Sequence, residues 1–138
     1  MRKVAWITTN KVLAQSLAAL IEGYQDLEFE PHLLLNPQQA ALDAEVLGID
    51  IAVVEMSGST SEQIYATRQI CENLRKSVPC CCILLLVQQD SQDARAMAME
   101  SVADGAADDY VFYDVSLDYL IAKLLSLPTA TQNKTHFA

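Results

Sequence analysis

Chemistry in this chain would sit where apolar stretches finish on polar side chains. "IDIAVVEMSGS" (49–59) runs through apolar residues to Glu55, with Ser57 and Ser59 just beyond. "KVAWI" (3–7) runs into Thr8, Thr9 and Asn10. A strand built only for packing gains nothing by ending on a carboxylate, since an ionised group is costly to bury unless it is paired. One carboxylate among hydroxyls and amides can cap a loop or orient a small polar ligand. It is a poor magnesium site, because that ion asks for several hard oxygen ligands in near-octahedral order.

Other candidates are weaker. "SGSTS" (57–61) precedes a helix start, where backbone N–H groups attract anions, but it lacks the glycine spacing of a phosphate loop and reads as an ordinary capped loop. His32 and His136 are far apart in sequence and read as surface residues. Cys71, Cys80, Cys81 and Cys82 match no zinc spacing. Three consecutive residues on an extended segment alternate faces, so they cannot converge on one ion. They are expected as small apolar core residues in a reducing compartment. No metal or cofactor is expected, and no nucleophile–base pair in the sequence marks an enzyme.

The elements that must position these residues alternate. "KVAWI" is a short strand, and "TTN" gives a turn and a helix cap. Leu13, Leu17, Leu20, Ile21 and Tyr24 then form one helical stripe. "LEFEPHLLL" (27–35) is a strand that Pro31 assigns to a sheet edge, and "NP" at 36–37 opens a helix to about Leu47. "IDIAVVE" (49–55) is the third strand, followed by a capping box of Ser59 and Glu62 and a helix carrying Ile64, Cys71, Leu74 and Val78. "CCCILLLV" (80–87) has the unbroken apolar character of a central parallel strand. A helix follows with Ala94, Met97, Ala98, Ser101 and Val102 on one face. "DGAADDYVFYD" (104–114) holds a turn and a short strand, Tyr110–Tyr113. Ser116 is placed to cap a last helix with Leu117, Leu120, Leu124 and Leu127 inside, and Ile121 and Leu125 off that stripe.

This order predicts an α/β fold with five parallel strands covered by helices on both faces and right-handed crossovers. Function in such sheets gathers at the carboxyl ends of the strands, which places Glu55 and Thr8–Asn10 at one edge. A length of 138 residues fits one domain, expected over 1–127, with 128–138 a tail or the start of a linker. No apolar run approaches a membrane span, and a soluble, cytoplasmic protein is expected. The net charge of −9 argues against nucleic acid as a direct partner.

"GAADDYVFYD" resembles the Gly-Ala-Asp-Asp-Tyr-hydrophobic-x-Lys-Pro signature of response-regulator receiver domains, and "DIAVVE" resembles that family's third strand. The resemblance covers residues 3 to about 127 and implies a flavodoxin-like (βα)5 three-layer sandwich. The family phosphorylates itself on an aspartate at the end of strand three, using magnesium held by acids after strand one, with a lysine and a hydroxyl residue on the phosphoryl oxygens. By resemblance the phospho-acceptor position falls on Glu55 and the paired metal-binding acids on Thr8 and Thr9, with Asn10 beside them. The lysine position falls on Tyr113, the proline after it on Asp114, and the hydroxyl position near Val87 or Gln88. Only the aromatic of the fifth strand, carried onto Tyr110, is kept.

A degenerate, phosphorylation-independent pseudo-receiver is therefore expected, not an enzyme. Glu55 would either imitate a phosphorylated aspartate or cap its loop through Thr8, Thr9 or Ser57; with Tyr113 replacing the lysine, the cap is preferred. Work by protein contact, as a homodimer or on a partner, is expected through the face of helix 4, strand 5 and helix 5, with Tyr110, Phe112, Tyr113, Ile121 and Leu125 as interface candidates. Such a module would be the regulatory part of an atypical two-component response regulator, and by family habit a fused or partner effector would act on transcription. The alternative is a flavodoxin-like ligand-binding or enzymatic domain using the polar pocket around Glu55.

Overall fold

The computed structural model describes residues 2–23, 29–56, 60–88, 90–112 and 117–127. Strand β1 (Arg2–Ile7) leads into helix α1 (Lys11–Gly23), then β2 (Phe29–Leu34), a short 3-10 turn (Pro37–Gln39) and α2 (Ala40–Leu47). Strand β3 (Ile51–Met56), α3 (Ser61–Ser77), β4 (Cys82–Val87), α4 (Gln92–Ala103), β5 (Asp109–Phe112) and α5 (Leu117–Ser126) follow. All strand pairs are parallel, in the order β2-β1-β3-β4-β5. This is the five-stranded α/β arrangement expected from the alternation of elements.

Burial follows the two-residue period of the strands. Val4, Trp6, Ile51, Val53, Leu84 and Leu86 face Ala14 and Ile21 of α1 and Leu120, Ile121 and Leu124 of α5. Ala5, Ile7, Ala52, Val54, Met56, Ile83, Leu85 and Val87 face Ala40 and Ala44 of α2, Ile64, Cys71 and Leu74 of α3, and Ala94 and Ala98 of α4. Every side chain of β4 is buried, although β4 lies one place in from the edge and β3 is the middle strand. Pro31 lies on β2, which has β1 as its one sheet neighbour, so the missing N–H costs no ladder bond on the open side.

Several local details differ from the sequence reading. The capping box of α3 is Thr60 with Gln63, one residue later than Ser59 with Glu62; the Thr60 hydroxyl accepts from the Gln63 N–H and the Gln63 side chain returns to the Thr60 N–H. Ile121 was expected off the inner stripe of α5 but is 6% exposed, because a helix lying flat on a sheet buries a stripe wider than every third or fourth residue. Strand β5 spans Asp109–Phe112 and so starts one residue before the expected Tyr110; its expected end at Tyr113 lies outside the described residues, as do Tyr24 and Ser116.

Three of the four cysteines, Cys71, Cys81 and Cys82, are buried, and Cys80 is half-buried. Burial pushes the Cys71 and Cys81 thiols up to about 12, so both behave as small apolar groups at neutral pH. Asp50 opens β3 by accepting the Lys3 backbone N–H at 2.9 Å, and Asp108 accepts the Ile83 N–H at 2.7 Å. Both carboxylates thus tie strand starts, at the opposite end of the sheet from Glu55.

Two arginines of α3 lock the turn before β5. Arg68 pairs with Asp104 and Glu72 and donates to the buried Ser101 hydroxyl at 3.2 Å. The bond to Arg68 holds Asp104 below the usual carboxylate range. Arg75 donates to the Gly105 and Cys81 carbonyls at 3.1 and 2.9 Å and pairs with Asp108 at 2.8 Å. Replacing Arg75 by Ala removes these bonds and leaves Asp108 without its cation. A loss of about 1.5–3 kcal/mol in urea unfolding is expected, against less than about 0.5 kcal/mol for Ala at the neighbouring exposed Lys76.

Candidate functional site

The order β2-β1-β3 reverses the chain's direction across the sheet, so the connections after β1 and β3 leave on opposite faces. A cleft of about 350 Å³ opens there, on the side of α2 and α3. It brings Thr8, Thr9 and Glu55 together with Asn36, Gln38, Gln63 and Thr67, over an apolar floor that includes Ile7, Val54 and Ile70. Asn10 does not line it. Asn36 and Gln38 were missed by sequence reasoning, because "NP" was read as a helix start alone; Gln63 and Thr67 were hidden in the pattern of α3.

Much of this polarity is already used. The Thr8 backbone N–H donates to the Leu34 carbonyl at 3.3 Å, and its hydroxyl accepts the Asn10 N–H at 2.9 Å. Asn10 in turn caps α1, its side-chain oxygen accepting from the Leu13 N–H at 3.0 Å. Thr8 and Asn10 therefore turn the chain from β1 into α1, as expected of "TTN". Thr67 donates back to the Gln63 carbonyl at 3.3 Å within α3. Thr9, Asn36 and Gln38 remain exposed around the cleft.

Glu55 sits opposite Leu86 in the register of β3 with β4 and is half-buried. Val54 and Met56 on either side belong to the α2–α3–α4 layer, so strand alternation turns Glu55 toward the α1–α5 layer, and it borders the cleft from that side. Among the described residues no hydrogen bond or ion pair reaches its carboxylate. Among the described residues the expected cap through Thr8 or Thr9 is not made, and the Thr8 hydroxyl instead accepts the Asn10 N–H; Ser57 lies outside the described residues. Among the described residues there is also no group of three or more histidine, cysteine or acidic side chains that could hold a metal ion.

At the other strand ends, Val87 is fully buried and pairs with Phe112, and Gln88 is exposed, so neither offers a hydroxyl. Tyr113 and Asp114 lie outside the described residues. Tyr110 and Phe112 meet edge to face, their centroids 5.7 Å apart at 73°, and both pack partly against the α2–α3–α4 core. Of the interface candidates on α5, Ile121 is turned into the core while Leu125 is 52% exposed. Two further exposed side chains, Tyr119 on α5 and Met99 on α4, carried no sequence signal beyond their helical positions.

The fold is that of response-regulator receiver domains. A CheY-like receiver domain from Methanospirillum hungatei superposes with a TM-score of 0.70 at 12% identity, over 90% of each chain. A structure described as adenylate cyclase from Rhodopirellula baltica gives 0.72 at 15% identity, over 91% of this chain and 85% of that one. A Burkholderia pseudomallei response regulator carrying a phosphorylated aspartic acid and a calcium ion gives 0.68 at 22% identity, over all of this chain and 74% of that one. No protein-family model and no curated protein matches the chain.

Because no described group pairs with the Glu55 carboxylate, Glu55→Gln is expected to change unfolding free energy by less than about 0.5 kcal/mol. A carboxylate that capped its loop would instead cost about 1 kcal/mol when neutralised. Urea denaturation of the two proteins separates these values.

Proposed function

We propose that this chain is a receiver-like signalling module that works by contact with another protein and does not accept phosphate. Its place would be the regulatory part of an atypical two-component response regulator, acting on transcription through a fused or partner effector. The observation that carries this reading is the composition of the strand ends: Thr8, Thr9 and Glu55 meet at one cleft, and by the resemblance these are the positions of two metal-binding acids and an aspartate nucleophile. Phosphoryl transfer depends on positioning and charge neutralisation. A lone carboxylate between hydroxyls supplies neither a magnesium cage nor a cation for the phosphoryl oxygens.

The contact surface in this reading is the edge formed by α4, β5 and α5. Strand β5 has a sheet neighbour on one side only, and the helices flanking it expose Met99, Tyr119 and Leu125. Tyr110 and Phe112 are the aromatic candidates on the strand, Tyr113 lies outside the described residues, and of the two aliphatic candidates on α5 Leu125, not Ile121, is exposed.

A second reading has its own observation, the 350 Å³ cleft between residues 35–38, α3 and the ends of β1 and β3, which is within the range of small-ligand sites. In it the chain would bind a small polar molecule beside Glu55, with Thr9, Asn36 and Gln38 as hydrogen-bonding groups.

Incubation with acetyl phosphate and magnesium followed by intact-mass measurement tests the first reading. No added phosphoryl group is expected. A stoichiometric gain of one phosphoryl group that disappears in Glu55→Gln would remove the claim of phosphate independence.

A further inference from the structure

The lining of the cleft beside Glu55 restricts the charge that a ligand there can carry. Among the described residues that line it, Glu55 is the only charged side chain; no lysine, arginine or histidine accompanies it. Residues 57–59, which follow β3 in the chain, are Ser-Gly-Ser and add no charge. A ligand seated in the cleft therefore meets one half-buried carboxylate that no described group neutralises.

Several of the neighbouring polar groups offer lone pairs. Thr67, 3% exposed, gives its hydroxyl proton to the Gln63 carbonyl at 3.3 Å and can only accept a further bond. Asn36 occupies the N-cap position of the 3-10 turn yet makes no capping bond, so its side-chain oxygen is not spent on the backbone there. Gln38, two residues on, is exposed. The rest of the lining is largely apolar, with Ile7, Val54 and Ile70 in the floor and Leu35 38% exposed.

Three classes of ligand suit this lining badly. A divalent metal ion needs several hard oxygen ligands, and among the described residues no group of three or more metal-binding side chains exists. An anion meets Glu55 and a chain of net charge −9. It also finds the Thr60 and Gln63 N–H groups at the start of α3 already taken by the capping box. A neutral molecule strips water from the carboxylate and returns nothing of equal strength. A cation offsets that loss with a charge-assisted hydrogen bond.

We propose that the cleft takes a small amphiphilic amine without an acid group, its ammonium beside Glu55 and its apolar body over Ile7, Val54 and Ile70. Further acceptors for the ammonium come from the side-chain oxygens of Asn36, Gln38 and Thr67. This rests on the small-ligand reading above. A volume of about 350 Å³ lies at the small end of ligand sites and suits a single ring or a short chain.

The probes are phenethylamine, the neutral phenethyl alcohol and the anionic hydrocinnamate. Each is titrated into the full chain at about 150 mM salt and near-neutral pH, followed by backbone amide NMR. Saturable shifts at Ile7, Val54, Glu55 and Thr67 are expected with phenethylamine. The alcohol should bind at least about tenfold more weakly, and hydrocinnamate not at all. Glu55→Gln should reduce the amine to the affinity of the alcohol. Glu45→Gln makes the same charge change on α2, outside the lining, and should leave the amine within about twofold. Equal amine affinity in the parent and Glu55→Gln, or equal weakening by Glu45→Gln, means unspecific attraction to an acidic protein and overturns the proposal. Binding of the alcohol or hydrocinnamate at the same residues with equal or greater strength overturns the amine class while keeping the small-ligand reading. No saturable shift at the cleft with any probe overturns both.

Discussion

From Ile51 to Val54 and from Cys82 to Val87 every side chain is buried, so the middle of the sheet has no wet face. A parallel sheet of this kind must be covered on both sides. That single constraint sends α1 and α5 to one face and α2, α3 and α4 to the other. It also confines every polar side chain that could act on a ligand to the strand ends, and every surface that could meet a partner to the outer helix faces and the two edge strands.

The strand ends have been used mainly for building. Thr8 and Asn10 turn β1 into α1, Asp50 and Asp108 anchor strand starts, and the arginines of α3 hold the turn into β5. Glu55 stands apart from this economy, half-buried at the end of β3 with no described partner. The acids around β5 divide similarly: Asp104 and Asp108 pair with the arginines of α3 and Asp109 with Lys123 of α5, while Asp93 and Glu100 are exposed and make no ion pair among the described residues.

The fold was legible because each strand and helix carries its own period. "CCCILLLV" and the capped helices required nothing beyond local pattern, and Pro31 marked the edge strand correctly. The site was legible only in part. The carboxyl-edge rule located Thr8, Thr9 and Glu55 together, yet Asn36 and Gln38 reach the cleft through the path of the chain after β2, which no spacing in the sequence encodes. The capping box lies one residue later than read because Ser59 with Glu62 and Thr60 with Gln63 both have the required spacing, which therefore cannot choose between them. Ile121 was misassigned because the width of a helix's buried stripe depends on what it lies against.

The central claim is that the state of this module does not depend on a phosphoryl group at Glu55. The most direct measurement is a backbone amide NMR spectrum recorded before and after adding magnesium with beryllium fluoride, a phosphoryl mimic. The account predicts unchanged signals for Glu55, for the ends of β3 and β4, and for α4, β5 and α5. Saturable shifts at Glu55 accompanied by shifts across α4–β5–α5 would contradict it, and would mean that the strand ends still sense a phosphoryl group and pass the signal to the outer face.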